Sequence, residues 1–141
     1  MGRSYRTYLA GETVYVCRGC GNHLAVQESV MSRNFTGQHG RAYLCRHPSA
    51  AYQSVNVYTS AEAEDRTMRT GKHTVRDLYC SVCHHVLGWK YDFAYEPGEK
   101  YKEGKFIIER EMIVERPEGK RNLDKPVIEE VVVRQVPVGR G

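Results

Sequence analysis

Five cysteines stand in this 141-residue chain, and four of them form two pairs, C-R-G-C at 17–20 and C-S-V-C at 80–83. A two-residue spacer curls the backbone so that both thiolates of a pair face one ion. Two such knuckles supply the four sulfur donors of a tetrahedral shell, which suits zinc and leaves no open coordination position. Cys17, Cys20, Cys80 and Cys83 are therefore the expected metal ligands, holding one structural zinc ion. The competing reading is a pair of redox or merely buried dithiols, which a single Cys-x-x-Cys would leave open. His23, His84 and His85 lie near the knuckles. They are rival ligands by type, but the four thiolates already complete the shell, so a supporting or surface role is expected for them. Gly19 and Gly21 lie in and beside the first knuckle, where glycine tolerates the backbone angles of a tight turn.

The elements that carry the knuckles follow from local pattern. Residues 13–17 (TVYVC) are β-branched and aromatic, and 73–79 (HTVRDLY) run into the second knuckle; both read as strands. Residues 87–95 (LGWKYDFAY) lead away extended. Each Cys pair is thus expected at the tip of a hairpin. The spacer of residues 21–79 is too long for a compact finger, so the metal should join two distant pieces of one domain. His23–Val30 is expected as a strand or irregular segment, 34–40 (NFTGQHG) as a loop, 46–51 (RHPSAA) as an inserted loop, and 54–58 (SVNVY) as a strand. Residues 60–66 read as a polar turn or one short helical turn, and 96–104 as a turn-rich connector. In 105–114, Phe106, Ile108, Met112 and Val114 share one face, which predicts a single half-buried strand. Two units are expected: a zinc-binding domain over 1–116, and a tail over 117–141, either disordered or added to a sheet edge.

The net charge is +4, with 27% charged residues of mixed sign. A nucleic-acid footprint concentrates Lys and Arg in a stripe, and none is seen, so nucleic-acid binding is not expected. No apolar run approaches the roughly 20 residues that span a bilayer, and the N-terminus lacks the apolar stretch of a signal peptide. An intracellular, reducing setting without membrane attachment is expected, where paired cysteines favour metal over disulfides.

The run G-K-H-T-V-R-D-L-Y-C-S-V-C-H-H-V-L-G-W-K-Y from Gly71, followed by E-K-Y-K-E-G-K-F-I-I-E, strongly resembles the Yippee family of zinc-binding proteins. Upstream, C-R-G-C-G-N-H-L-A, S-R-N-F-T-G-Q-H-G-R-A-Y-L and V-N-V match it in order. The resemblance spans roughly residues 8–115. It implies a mostly β fold, a β-tent of two antiparallel sheets pinned by the four-cysteine zinc site. It implies placement in nucleus and cytoplasm and no assigned enzymatic activity. Similar domains occur in the ligand-binding region of cereblon, in centromere-assembly proteins and in methionine sulfoxide reductase B. This chain departs from the usual pattern in the extra residues around RHPSAA and in the tail beyond Glu115.

Trp89 and Tyr91 are two apart, so on one strand they point the same way. The cereblon resemblance implies that they are cage positions, with His73 near a further one and Phe35 closing the pocket from its loop. These four are the candidate ligand-binding residues; the bland reading is that Trp89 and Tyr91 are core. Three functions are weighed. The first is a non-enzymatic adaptor or scaffold that binds a protein partner and reads a ligand or peptide in the aromatic pocket. The second is a small-molecule module like that of cereblon. The third is a reductase of methionine sulfoxide. That enzyme needs a nucleophilic cysteine outside the metal shell. Cys45 alone is spare, and it precedes the second pair where the reductase nucleophile follows it. No catalytic residue is expected.

Overall fold

A computed structural model describes residues 2–8, 13–46, 56–117 and 127–133 of the chain, the first and last of these as backbone. Twelve strands run in chain order: β1 Gly2–Tyr8, β2 Val14–Cys17, β3 His23–Val26, β4 Val30–Gly37, β5 Gly40–Cys45, β6 Val57–Thr59, β7 Glu64–Met68, β8 Gly71–Cys80, β9 Val86–Ala94, β10 Phe106–Glu109, β11 Ile113–Arg116 and β12 Val127–Val133. Short 3₁₀ turns at Gln27–Ser29, Pro97–Lys102 and Arg110–Met112 are the helical elements among the described residues. The chain is mostly β, as expected.

All recorded pairings are antiparallel. A seven-stranded sheet is ordered β4-β5-β10-β9-β8-β6, with β7 also pairing β8, and a three-stranded sheet is ordered β11-β2-β3. Between them lies the principal core. Tyr15, Cys17, Leu24, Ala25 and Ile113 of the small sheet meet Tyr43, Cys45, Leu78, Cys80, Leu87, Phe106 and Ile108 of the large one. A second apolar cluster, built from Ala42, Leu44, Val75, Trp89, Tyr91 and Ile107, draws no residue from the small sheet. The period of two explains the division: along β5, Tyr43 and Cys45 join the first cluster and Ala42 and Leu44 the second.

In β9 that period is broken twice. Leu78 pairs Gly88 but Tyr79 pairs Val86, and Thr74 pairs Phe93 but Val75 pairs Tyr91. Leu87 and Asp92 are thus extra residues in β9, two β-bulges. The first lets Leu87 join the core between the sheets while Trp89, two residues on, joins the other cluster.

Several local expectations are corrected. The segment 34–40 is not a loop: β4 continues through Gly37 and turns back at Gly40. The turn is closed by Glu109, whose carboxylate accepts from the His39 backbone N–H at 2.7 Å. The last three residues of the turn expected over 60–66 belong instead to strand β7, Glu64–Met68. The single strand expected over 105–114 is two, because the turn at Arg110–Met112 carries the chain from the large sheet to the small one. Phe106 and Ile108 are buried as expected, but Ile107 is too, and Val114 is exposed. A strand in the centre of a sheet covered on both faces buries both its rows. The 46–51 insertion falls, beyond Arg46, outside the described residues. Within the tail, β12 pairs β1 in a separate two-stranded ribbon.

Candidate metal centre and adjoining cavity

The first knuckle joins β2 to β3, and the second joins β8 to β9. The two turns share one backbone recipe. In the first, Gly21 N–H donates to Cys17 O at 2.8 Å and Cys17 N–H to Asn22 O at 2.8 Å. In the second, His84 N–H donates to Cys80 O at 2.9 Å and Cys80 N–H to His85 O at 3.0 Å. In both, the residue after the second cysteine is left-handed, Gly21 at φ 79° and His84 at φ 66°. A Cβ on Gly21 would meet nothing within 4 Å, so Gly21→Ala isolates the conformational cost. It is expected to destabilise by about 1–2 kcal/mol, read as a lowered thermal midpoint with full zinc content.

The hairpin tips bring the four Sγ atoms of Cys17, Cys20, Cys80 and Cys83 within 4.8 Å of one another. Cys17 Sγ lies 3.5 Å from Cys83 Sγ, and Cys20 Sγ 3.6 Å from Cys80 Sγ. A tetrahedron of zinc–sulfur bonds of about 2.3 Å has edges of roughly 3.8 Å, so the donor set fits one zinc ion. Without a cation, Cys17, Cys20 and Cys80 compete with one another for ionisation. Hydrogen bonds from Cys17 and Cys20 hold Cys80 far below the ordinary thiol range. A bond with Cys20 tends to lower Cys17, but Cys80 and burial outweigh it and push Cys17 up to about 11. Neighbouring Cys17 and Cys80 push Cys20 up as well. A divalent cation relieves this conflict by displacing the protons and holding the four sulfurs as thiolates around one positive charge centre.

Residues that spacing did not single out brace the centre. Asn22, fully buried, donates from Nδ2 to Cys80 Sγ at 3.4 Å and to Asn56 O at 2.9 Å. Asn56 donates from Nδ2 to His23 O at 2.7 Å and receives Ser81 N–H at 3.0 Å on its carbonyl. Arg18, inside the first knuckle, donates to Glu111 O at 2.9 Å and Ile113 O at 3.1 Å, tying the metal turn to the start of β11. Of the three histidines, His85 Nδ1 sits 3.1 Å from Cys83 Sγ and His84 Nδ1 2.9 Å from the Tyr58 hydroxyl, while His23 is buried. None belongs to the four-sulfur group. The signal for Asn22 is its place two residues beyond Cys20; nothing local marks Asn56, and Arg18 is marked only by lying inside the knuckle.

Cys45 lies in the principal core, and burial pushes its thiol up to about 12. It therefore holds far less thiolate at neutral pH than an ordinary cysteine. Iodoacetamide should leave Cys45 of the folded zinc protein unmodified while labelling it after denaturation; prompt labelling in the native state, read by peptide mass, would contradict this placement.

On the other face of the large sheet, a cavity of about 620 Å³ is lined in part by Phe35, Met68, Trp89, Tyr91, Tyr101 and Lys102. Trp89 and Tyr91 are 6% and 2% exposed, with ring centroids 6.3 Å apart, edge to face. They are at once core residues and cavity wall. Burial pushes the Tyr91 phenol up, and the indole N–H of Trp89 acts against that rise without reaching hydrogen-bond geometry; Trp89 Nε1 is buried with no hydrogen-bond partner. Phe35 lines the cavity from β4. His73 does not line it. Fully buried, it stands behind Tyr91 at a ring distance of 5.0 Å, its Nδ1 3.0 Å from Gly71 O. Burial, and then the Lys102 charge, lower its pKa, so it is neutral.

Two antiparallel sheets joined at their knuckles by four cysteines define a β domain with a structural zinc centre. The model of the Yippee zinc-binding/DNA-binding /Mis18, centromere assembly family matches residues 13–122. The chain belongs to that family. It is 44% identical over 110 residues to a Solanum tuberosum protein yippee-like, covering 78% of this chain and 79% of that one. With protein yippee-like 4 of Rattus norvegicus it shares 42% over 113 residues, 79% of this chain and 84% of the relative. The crystal structure of a Mis18 'Yippee-like' domain superposes with a TM-score of 0.55 at 13% identity, covering 74% of this chain and 94% of that chain. At that identity the likeness is one of fold.

Proposed function

We propose that this protein is a non-enzymatic interaction module, in which the zinc centre holds the fold and the cavity beside Trp89 and Tyr91 receives a small ligand or a protruding group of a protein partner. The observation that supports it is the cavity: about 620 Å³ in volume and walled by Phe35, Trp89, Tyr91 and Tyr101. Ligand sites are concave, few per protein, and combine apolar and aromatic walls with a few placed polar groups. His73 sets the position of Tyr91 from behind. The zinc shell is closed by four sulfurs, so it has no position for water or substrate. The buried, protonated Cys45 is a poor nucleophile, which speaks against the reductase reading.

Protein rather than nucleic acid is the favoured macromolecular partner. Several basic side chains of the large sheet and its connector are already paired, Arg66 with Glu64 and Asp77, Arg76 with Asp92, and Lys100 with Glu103. An intracellular setting, in nucleus and cytoplasm, fits the family. The tail 117–141 is read as a unit outside the zinc domain. Its deletion should leave zinc content unchanged and shift the thermal midpoint by less than about 3 °C.

A fragment screen read by NMR on the zinc-loaded full chain tests the function. Bound fragments should move the signals of 34–38, 66–70, Trp89 and Tyr91 together. Hits that cluster on another surface, or an absence of hits against a diverse library, would remove the cavity from the account.

A further inference from the structure

Aromatic walls ordinarily invite a cationic guest. Here the cation position is already filled from within. Lys102 Nζ lies 5.3 Å from the Phe35 ring, 5.4 Å from that of Tyr91 and 6.0 Å from that of Tyr101. It donates to Glu99 Oε1 at 2.8 Å and Thr70 Oγ1 at 2.9 Å, and its side chain is only 3% exposed. A methylated ammonium entering this cage would meet a fixed like charge on the faces it needs.

The hydrogen-bonding capacity left over is of the opposite kind. Trp89 Nε1 is a donor only, and it is buried without a partner. Arg69, at the rim, is exposed and makes no hydrogen bond or ion pair with another described residue. Glu99 is the one carboxylate among the lining residues, and it is committed to Lys102. A cationic guest would therefore find no uncommitted carboxylate among the lining residues, whereas an anionic guest would find unfilled donors and an excess of positive charge.

We propose that the cavity takes an oxyanion-bearing ligand, a carboxylate or phosphate carried on a flat apolar body. Its charge sits toward Arg69 and its body against Phe35, Trp89 and Tyr91. This rests on the reading of the cavity as the binding site. A peptide C-terminus and a free small acid present the same chemistry.

Trp89 is the only tryptophan in the chain, and it lines the cavity, so its fluorescence responds to a guest there. The zinc-loaded full chain is titrated with 3-phenylpropionate, phenyl phosphate, phenethyltrimethylammonium and neutral phenethyl alcohol. A peptide ending in a free phenylalanine carboxylate is compared with its C-terminal amide. One of the anions should bind at least tenfold more tightly than the cation. Arg69→Gln should weaken the anion about tenfold and leave phenethyl alcohol within twofold. Lys102→Met, checked for folding by circular dichroism, should reverse the preference, because it empties the cage and leaves Glu99 without its partner. Tighter binding of the acid-ended peptide than of both small acids assigns the oxyanion to a chain end; the reverse assigns it to a free acid. Preference of the unsubstituted protein for the cation, or an unchanged anion affinity in Arg69→Gln, overturns the oxyanion assignment and leaves the cavity reading standing. No response to any probe overturns both.

Discussion

Cys80→Ser is expected to lose zinc and fold together. Cys80 is fully buried at the end of β8, where its sulfur accepts from Asn22 and lies 3.6 Å from that of Cys20. Serine offers a hard, protonated hydroxyl in place of a soft thiolate, and three sulfurs remain around the ion. Structural zinc contributes about 10–16 kcal/mol of apparent binding free energy in small domains. The net stability of a domain is only about 5–15 kcal/mol. The metal term is thus comparable to the whole margin, and most of it depends on the closed shell. The effect reaches far from the ion, because the two knuckles stand 60 residues apart in sequence and the zinc is what fixes the small sheet against the large one. Metal analysis and circular dichroism of the purified variant check it together, with Cys45→Ala as the cysteine control that keeps its zinc. A Cys80→Ser protein that is folded and metal-free would show that the sheets hold without the ion.

Gly88→Ala should cost more than about 3 kcal/mol, well above the typical single substitution. Gly88 sits in β9, opposite Leu78 of β8 on one side and Ile108 of β10 on the other. A Cβ there would lie 2.0 Å from the Ile107 carbonyl oxygen, 2.8 Å from its carbonyl carbon and 3.3 Å from the Ile108 Cα. These are backbone atoms of a central strand, so no rotamer change relieves the clash. Either β9 or β10 must move, and β10 is held on its other side by β5. The thermal midpoint should fall by about 10 °C or more. Trp89 adjoins the displaced backbone, so its emission should also shift in whatever fraction stays folded. Gly98→Ala is the matched control, since a Cβ there meets nothing within 4 Å. A Gly88→Ala midpoint within 2 °C of the unsubstituted protein would mean that the two strands can part without cost.

The metal ligands were legible because each pair is a local device. Cys17 with Cys20 and Cys80 with Cys83 are set by two-residue spacers, and the strands entering the knuckles are β-branched and aromatic over consecutive residues. Two half-sites of the same ion then need only be brought together. The bracing residues were less legible. Asn56 reaches the knuckle region only because β6 pairs with β8, Val57 opposite Cys80, and so distant a pairing leaves no mark on the side chain's neighbours in sequence. The loop assigned to 34–40 failed for a related reason. Its polar and glycine residues match loop chemistry, but pairing with β5 satisfies the backbone of β4 whatever its side chains.

The sequence by itself determined the ion, its four ligands, the strands that present them and the predominance of β structure, because each half-site and each strand is encoded within a few consecutive residues. The tertiary structure alone decided where the apolar residues go. A bulge at Leu87 puts Trp89 and Tyr91 on the face away from the small sheet, since one extra residue in a strand exchanges its faces. A three-residue turn at Arg110–Met112 divides one apparent strand between two sheets. Burial of Lys102 against Phe35, Tyr91 and Tyr101 gives the aromatic cavity the charge of its own wall. Each of these depends on register and on partners distant in the chain, which fix side-chain direction only once the sheets have closed.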